Sequence, residues 1–218
     1  MTSSVAETIE RITQIAVMPI VEIEDVNHAA PVMDALCAGG LPVVEITLRT
    51  QAAMKVIEVL AGGHSSVLVG AGTVLSIEDA ARVIDLGARF VVSPGTDSEL
   101  LAFCREKGVL ALPGVATATE VHVARRAGAS LLKLFPAEAI GGIGLLKALA
   151  GPYRDVRFVP SGGINQHNLA RYLALPQVAA CGGSWVVARK LLEAKDFGAV
   201  KALAAEAVGI VAEARGNA

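Results

Sequence analysis

Residues 66–93, SVLVGAGTVLSIEDAARVIDLGARFVVS, contain the pattern on which the whole fold rests. The stretch begins and ends with short apolar runs, and the segment between them, 76–88, has helical periodicity. Ser76 can cap the first turn of this helix, and Gly87 can end it. A strand, a helix and a second strand in this order predict a βαβ unit with parallel strands.

The same unit recurs along the whole chain. Short apolar or β-branched runs that can form strands occur at 16–22, 42–47, 66–72, 89–93, 109–114, 130–135, 156–163 and 178–184. Eight βα units in 218 residues predict a (β/α)8 TIM barrel, a single domain over 1–218, with an amphipathic N-terminal helix and an outer C-terminal helix. An open doubly wound sheet is the alternative. It would prefer a glycine-rich turn after its first strand, where this chain has the acidic VEIEDVN.

Composition and charge exclude several functional classes. Hydrophobic residues make up 53% of the chain and charged residues 18%, which is ample material for a core. Net charge is −2 and the basic residues are scattered, so we expect no nucleic-acid or membrane partner. No apolar run approaches about 18 residues, and the first segment is too charged for a secretory signal. Three widely spaced cysteines, Cys37, Cys104 and Cys181, favour reduced thiols and a cytoplasmic location.

No metal site is predicted from the histidines or the cysteines. The cysteines form no CxxC pair, and the histidines share no spacing; these are His28, His64, His122 and His167. Surface positions are expected for the histidines. The single tryptophan, Trp185, is expected to have a packing role.

A lysine and a glutamate are predicted to face each other inside the barrel. Lys133 lies near the end of the sixth predicted strand, between Leu132 and Leu134. Side chains alternate faces along a strand, so the two leucines face the helices and Lys133 faces inward. Glu45 has the same inward position on the second strand. Alternate strands supply the same interior layer of a barrel, so the two side chains can meet.

This pair suggests covalent chemistry at the strand ends. Burial disfavours the charged form of an amine, and a neutral lysine can form a Schiff base with a carbonyl compound. A neighbouring carboxylate can carry the protons that imine chemistry requires. The alternative is an ion pair that is buried only for conformational specificity. Arg49 could bind a carboxylate or be solvated at the start of the next helix, and Thr73 could bind substrate or cap a helix.

Two glycine-rich loops predict an anion site. PSGGIN, 160–165, follows the seventh strand, and CGGSW, 181–185, follows the eighth. Barrels commonly bind phosphate with the loops after these two strands, where glycines let backbone N–H groups approach the anion. Ser161 and Ser184 can add hydroxyl donors. Each loop taken alone could be only a tight turn.

The sequence resembles the 2-keto-3-deoxy-6-phosphogluconate (KDPG)/4-hydroxy-2-oxoglutarate (KHG) aldolase family. The resemblance covers nearly the whole chain and rests on VVEITLRT, VGAGTVL, VVSPGTD, LKLFPAE, VRFVPSGGIN and GGSW, in that order. It implies a class I aldolase for small 2-keto acid phosphates that needs no metal or cofactor and is usually a homotrimer. Lys133 matches the family's Schiff-base lysine and Glu45 its general acid/base, with Arg49 and Thr73 on the side of the substrate carboxylate.

The resemblance also implies the remaining substrate-binding residues. Pro94 and Phe135 match pocket positions, and Gly162, Gly163 and Ser184 match the phosphate end. Ser161, which stands in place of the commoner threonine, and Gly183 lie in the same two loops and are also expected to bind substrate. Some relatives carry a basic residue in or just after the first strand, but VMPIVEIEDV has none. The preference among KDPG, KHG and the galactonate epimer of KDPG therefore stays open. Two further classes of protein also fit the residues: a barrel isomerase or synthase without a covalent amine, and a non-catalytic binder of sugar-acid phosphates.

Overall fold

The computed structural model describes residues 4–63 and 66–216, in which helices and strands alternate. The strands are β1 Val17–Val21, β2 Val43–Thr47, β3 Leu68–Gly72, β4 Phe90–Val92, β5 Leu110–Leu112, β6 Gly114–Val115, β7 Leu131–Leu134, β8 Arg157–Pro160 and β9 Cys181–Gly183. The helices are α1 Val5–Ile15, α2 Ala29–Ala38, α3 Ala53–Gly63, α4 Ile77–Asp85, α5 Ser98–Glu106, α6 Ala118–Arg126, α7 Gly142–Ala150, α8 Leu169–Leu173, α9 Arg189–Glu193 and α10 Phe197–Gly216. Short 3-10 turns lie at Val26–His28 and Glu138–Ile140.

Every strand pair in the described sheets is parallel. One sheet has the order β5-β4-β3-β2-β1-β9, and the other has the order β6-β7-β8. Isolated parallel bridges, Phe158 to Val178 and Ser161 to Gly182, connect the β8 region with the β9 region. The predicted α/β class with parallel strands is therefore confirmed.

The observed strands have narrower bounds than the predicted runs; the eighth, for example, is predicted over 178–184 and observed as Cys181–Gly183. Two of the differences have a local cause. The fifth, 109–114, is divided into β5 and β6 at Pro113, because proline has no N–H to donate to a sheet. The seventh, 156–163, ends at Pro160, because Gly162 and Gly163 have φ of +94° and +86°. Those backbone conformations leave the extended region and turn the chain into a loop.

Apolar side chains pack on both faces of the strands. One cluster lies between the strands and the helices and includes Val44, Ile46, Leu132 and Leu134. A second cluster takes the opposite face and includes first residues of five strands, Val43, Leu68, Phe90, Leu110 and Leu131. Ile12 of α1 belongs to this second cluster, so α1 covers the amino-terminal ends of the strands. The carboxyl-terminal ends of the strands are not covered by α1 and remain accessible.

The predicted helices at the two ends of the chain are present. α1 begins with a capping box, in which Ser4 and Glu7 exchange hydrogen bonds. α10 packs against α2 and α8, and it runs so close to Gly39 that a β-carbon there would lie 2.7 Å from the Lys201 carbonyl oxygen. No helix in the described part of the chain is both long and apolar enough to span a membrane.

Candidate active site

A cavity of about 560 Å³ opens at the carboxyl-terminal ends of the strands. The structure brings all eleven residues that were predicted for the site to its wall: Glu45, Arg49, Thr73, Pro94, Lys133, Phe135, Ser161, Gly162, Gly163, Gly183 and Ser184. They come from six strands or the loops that follow them, far apart in sequence. Parallel strands have their carboxyl ends on one side, which explains how such distant residues share one cavity.

The amine of Lys133 and the carboxylate of Glu45 are in direct contact at the base of this cavity. Lys133 Nζ lies 3.0 Å from Glu45 Oε1, and the residues are only 7% and 0% exposed. Glu45 Oε2 is buried with no hydrogen-bond partner among the described residues. The ring of Phe135 lies beside the amine, with its centroid 5.5 Å from Nζ. The pair therefore offers a buried amine and a carboxylate oxygen with a free acceptor position.

Strand parity explains this meeting. In β2, Val44 and Ile46 join the cluster under the helices, while Val43 joins the inner cluster and Glu45 continues the same face. β7 repeats the arrangement, with Leu131 in the inner cluster before Lys133. In these two strands an apolar residue fills the amino-terminal part of the interior, and a polar one follows it toward the carboxyl-terminal end. The inward placement predicted from alternation is the placement observed.

Arg49 and Thr73 lie on one side of the cavity. Arg49 Nη1 is 3.9 Å from Glu22 Oε2, and both side chains are well exposed, so Arg49 is solvated and lines the cavity at once. Thr73 has φ of +58°, which is uncommon for a β-branched residue and occurs at strained functional positions. The helix cap is supplied by Ser76, whose hydroxyl accepts from the Asp79 N–H. Capping is therefore not the role of Thr73.

The two glycine loops form the other side. In the first loop, the carbonyls of Ser161 and Gly162 accept from the N–H groups of Ala137 and Glu138, at 2.7 and 3.1 Å. Ser161 Oγ is buried and has no partner among the described residues. The loop is thus anchored through its carbonyls, and the buried Ser161 hydroxyl has no partner within the described part of the chain.

A buried tyrosine, Tyr172, supports the first loop through a hydrogen bond to Glu138. The Tyr172 hydroxyl donates a hydrogen bond to Glu138 Oε1. Burial, followed by that hydrogen bond, raises the pKa of Tyr172. A β-carbon at Gly163 would lie 2.7 Å from Glu138 Cβ, so the loop can pack here only as glycine. This support is not predicted from the sequence, because it depends on contacts between separate loops.

The cavity is also lined by residues that the sequence patterns do not predict for the site. Glu22, Asn165, Trp185 and Arg189 line the wall. Trp185 was expected only to pack; its ring fills the space where Gly183 lacks a side chain, and it also faces the cavity. Arg189 follows the second glycine loop by a few residues. That closeness in sequence is the feature from which its place at the cavity could be predicted.

The described histidines and the three cysteines lie outside the cavity lining. His28 is half-buried, with Nε2 3.8 Å from Asp25 Oδ2, while His122 and His167 are exposed. His64 lies outside the described residues. Over 4–63 and 66–216, no group of three or more His, Cys, Asp or Glu side chains is placed to hold a metal ion. Of the free cysteines, Cys104 and Cys181 are buried and Cys37 is exposed.

Comparison with known proteins gives a consistent result. The family model for KDPG and KHG aldolase matches residues 8–203. A 2-dehydro-3-deoxy-phosphogluconate aldolase of Treponema pallidum is 45% identical over 93% of this chain and 96% of its own length. A KHG/KDPG aldolase of Escherichia coli K12 is 43% identical over 88% and 90%. A KDPG aldolase structure from Legionella pneumophila, with pyruvate captured as a covalent carbinolamine, has a TM-score of 0.89 at 36% identity and covers 94% of this chain and 98% of that one.

Proposed function

This chain belongs to the KDPG and KHG aldolase family, and we propose that it cleaves KDPG to pyruvate and glyceraldehyde 3-phosphate as a class I aldolase. The observation that carries the proposal is the contact between Lys133 Nζ and Glu45 Oε1, 3.0 Å apart and buried at the base of the cavity. A lysine that forms a Schiff base needs a neighbour that moves protons, and Glu45 is that neighbour.

Lys133 forms the covalent intermediate. Glu45 accepts a proton from the amine, and the neutral Nζ attacks the C2 carbonyl of the substrate. The resulting carbinolamine loses water to give a protonated imine. The carbinolamine of pyruvate in the Legionella pneumophila aldolase supports this order of events for a related enzyme.

Carbon–carbon cleavage follows from the imine. A base removes the proton of the C4 hydroxyl, the C3–C4 bond breaks, and its electron pair moves into the iminium to give an enamine. Glyceraldehyde 3-phosphate leaves, and a proton returned to C3 restores the imine of pyruvate. Water then hydrolyses this imine and frees both pyruvate and Lys133. Glu45, directly or through a water, is the base and the proton donor, and the iminium supplies the electron sink that a metal supplies to an enolate.

The other cavity residues hold the substrate. Arg49 and Thr73 bind its C1 carboxylate, since a guanidinium matches a carboxylate with two parallel hydrogen bonds. Pro94 and Phe135 form the apolar wall around the reacting carbons. The phosphate binds at the two glycine loops, through Ser161, Gly162, Gly163, Gly183 and Ser184. The free Ser161 hydroxyl is the observation that supports this end.

KHG is the second substrate that we propose, cleaved to pyruvate and glyoxylate. The E. coli relative carries both substrates in its name. The covalent and proton-transfer steps involve only C2, C3 and C4, which the two compounds share in kind. The Lys133–Glu45 pair can therefore serve both, and the difference between them lies at the phosphate end.

We also propose that the strands close into one eight-stranded TIM barrel and that 1–218 is a single domain. β5 and β6 are interrupted only at Pro113 and together count as the fifth strand. The Ser161–Gly182 bridge lies where the seventh and eighth strands would pair, and β9 pairs with β1. This arrangement supports a ring in which each strand has two neighbours.

A cytoplasmic homotrimer is the cellular form that we propose. The assembly follows from the family resemblance, and Leu75, a leucine 67% exposed beside Thr73, is an apolar side chain that a subunit contact would cover. The three free cysteines suit a reducing compartment. Light scattering would test the assembly: a particle with the mass of one chain would contradict it.

Pyruvate release measures the proposed activity directly. Purified protein should release pyruvate from KDPG and from KHG, and Lys133→Met should abolish both reactions. Lys147→Met is the matched control, because Lys147 is exposed on α7, outside the cavity lining. Turnover that survives Lys133→Met would contradict the Schiff-base mechanism and favour an enzyme without a covalent amine.

A further inference from the structure

One positively charged side chain that lines the cavity has no role in the proposed mechanism. Among the described residues that line it, three carry a positive charge: Lys133, Arg49 and Arg189. Lys133 is the nucleophile, and Arg49 lies with Thr73 on the side of the substrate carboxylate. Arg189 begins α9, on the stretch of wall that continues from Gly183 and Ser184.

The phosphate end otherwise lacks a compensating charge. A phosphate monoester carries about −1.5 to −2 at neutral pH. The segment after β1 offers no cation; it offers Glu22 and Glu24, of which Glu22 lines the cavity. Glycine N–H groups and serine hydroxyls supply hydrogen bonds but no net charge. A guanidinium supplies both, in a fork that fits two phosphate oxygens.

Arg189 is held at the rim by contacts that a phosphate can replace. Its Nη2 lies 3.1 Å from Glu24 Oε1, and its Nε lies 2.9 Å from Glu193 Oε1. The Arg189 side chain is 68% exposed and its partners are similarly exposed. Ion pairs in solvent contribute little to stability, so exchanging a carboxylate for a more highly charged phosphate is favourable.

We propose that Arg189 is a specificity-determining residue that binds the substrate phosphate at the glycine loops, and that Glu24 holds its guanidinium at the rim until the phosphate displaces that carboxylate. The inference rests on the proposed aldolase function. Under this proposal, the start of α9 supplies the positive charge that the segment after β1 lacks. KHG has no phosphate and ends in a C5 carboxylate, which carries less charge and lies nearer to the reacting carbons, so KHG should gain less from this contact than KDPG.

Steady-state kinetics on two substrates test the assignment. For Arg189→Ala, the ratio of kcat/KM on KDPG to kcat/KM on KHG should fall about tenfold or more, through the KM for KDPG. Glu24→Gln should lower the KM for KDPG, because it releases the guanidinium. Lys190→Ala is the matched control: the neighbouring lysine is exposed, lies outside the cavity lining, and should leave both reactions unchanged.

The outcomes separate this inference from the proposed function. Turnover of both substrates with an unchanged ratio in Arg189→Ala overturns the role of Arg189 alone. A fall in kcat on both substrates by the same factor also overturns it, because that result indicates a general structural effect. Absence of turnover in the unmodified protein overturns the aldolase proposal and this inference with it.

Discussion

Gly72 lies directly behind the carboxylate of Glu45: a β-carbon at position 72 would lie 2.7 Å from Glu45 Cγ and closer still to Oε1. The two residues occupy neighbouring strands, since β2 pairs with β3 in parallel and Thr47 is the register partner of Gly72. The glycine therefore leaves the space in which the carboxylate meets Lys133. The contact between Glu45 and Lys133 therefore depends on the absence of a side chain at position 72.

Gly72→Ala should displace the Glu45 carboxylate and lower turnover about 100-fold, because small misplacements of a catalytic group cost roughly that much. Pyruvate release measures the effect. Gly62→Ala is the control: Gly62 lies in α3 with nothing within 4 Å of its would-be β-carbon. That variant should keep full activity and gain about 0.5–1 kcal/mol in stability. An active Gly72→Ala protein would show that Glu45 tolerates movement.

Glu45→Gln should remove the proton carrier while it preserves the size of the side chain. We expect exchange of the pyruvate methyl protons with solvent to fall about 10²- to 10⁴-fold, the usual contribution of a general acid/base. NMR in deuterated water follows that exchange. Glu58→Gln, on the exposed face of α3, serves as the control. Exchange that continues at the original rate in Glu45→Gln would assign the proton transfer to another group.

The cysteines should differ sharply in reactivity. Burial raises the pKa of the Cys104 thiol to about 11 and also raises the pKa of the Cys181 thiol. Cys37 is exposed, and a smaller burial effect, with the charge of Asp34, raises its pKa above 9.0. A thiol reagent should therefore modify Cys37 alone in the folded protein, faster as pH rises, because the thiolate is the reactive form.

Counting reactive thiols with and without denaturant checks that order. Cys37→Ser should remove the reaction of the folded protein and leave the two thiols that denaturant exposes. Rapid modification of Cys104 or Cys181 in the folded protein would contradict the burial of these side chains.

The cap of α6 should make stability depend on pH. Glu120 accepts hydrogen bonds from the N–H groups of Ala116 and Thr117, at 2.7 and 2.8 Å, and the first of these chiefly holds its pKa below the usual 4.5. A depressed folded-state pKa contributes stability above the unfolded value, and that contribution disappears as pH falls through the folded value. Glu120→Ala should therefore cost about 1 kcal/mol at pH 7 and less below pH 4.5.

Urea unfolding at both pH values measures this difference. Glu99→Ala is a suitable comparison, because α5 is capped by Asp97 instead, which accepts from the N–H groups of Glu99 and Leu100. A loss of stability in Glu120→Ala that is the same at pH 7 and pH 3 would exclude the charged cap as its cause.

Much of the architecture follows from local rules in the sequence. Alternation along short apolar runs predicts the strands and orients Lys133 and Glu45 correctly, because side-chain direction in a strand is a local property. The helix that begins after Ser76 is likewise predicted from its cap, since the bonds involved lie within one turn. These features need no knowledge of distant contacts.

Other features depend on residues that are distant in sequence. The support of the first glycine loop by Tyr172 and Glu138 and the pairing of Arg189 with Glu24 arise only when loops from different units meet. The end of the seventh strand depends on the left-handed backbone conformation of Gly162. The apolar residues that precede it do not predict that conformation. Sequence patterns therefore identify the Lys133–Glu45 pair better than the contacts between loops at the rim of the cavity.

Reductive trapping with pyruvate determines whether Lys133 is the residue that forms the Schiff base. The protein is incubated with pyruvate, reduced with borohydride, digested and mapped by mass spectrometry. We expect one reduced pyruvyl adduct, on Lys133, which disappears in Lys133→Met but persists in Lys147→Met. An adduct on another lysine, or none on Lys133 under conditions in which the protein releases pyruvate from KDPG, would contradict the covalent role of Lys133.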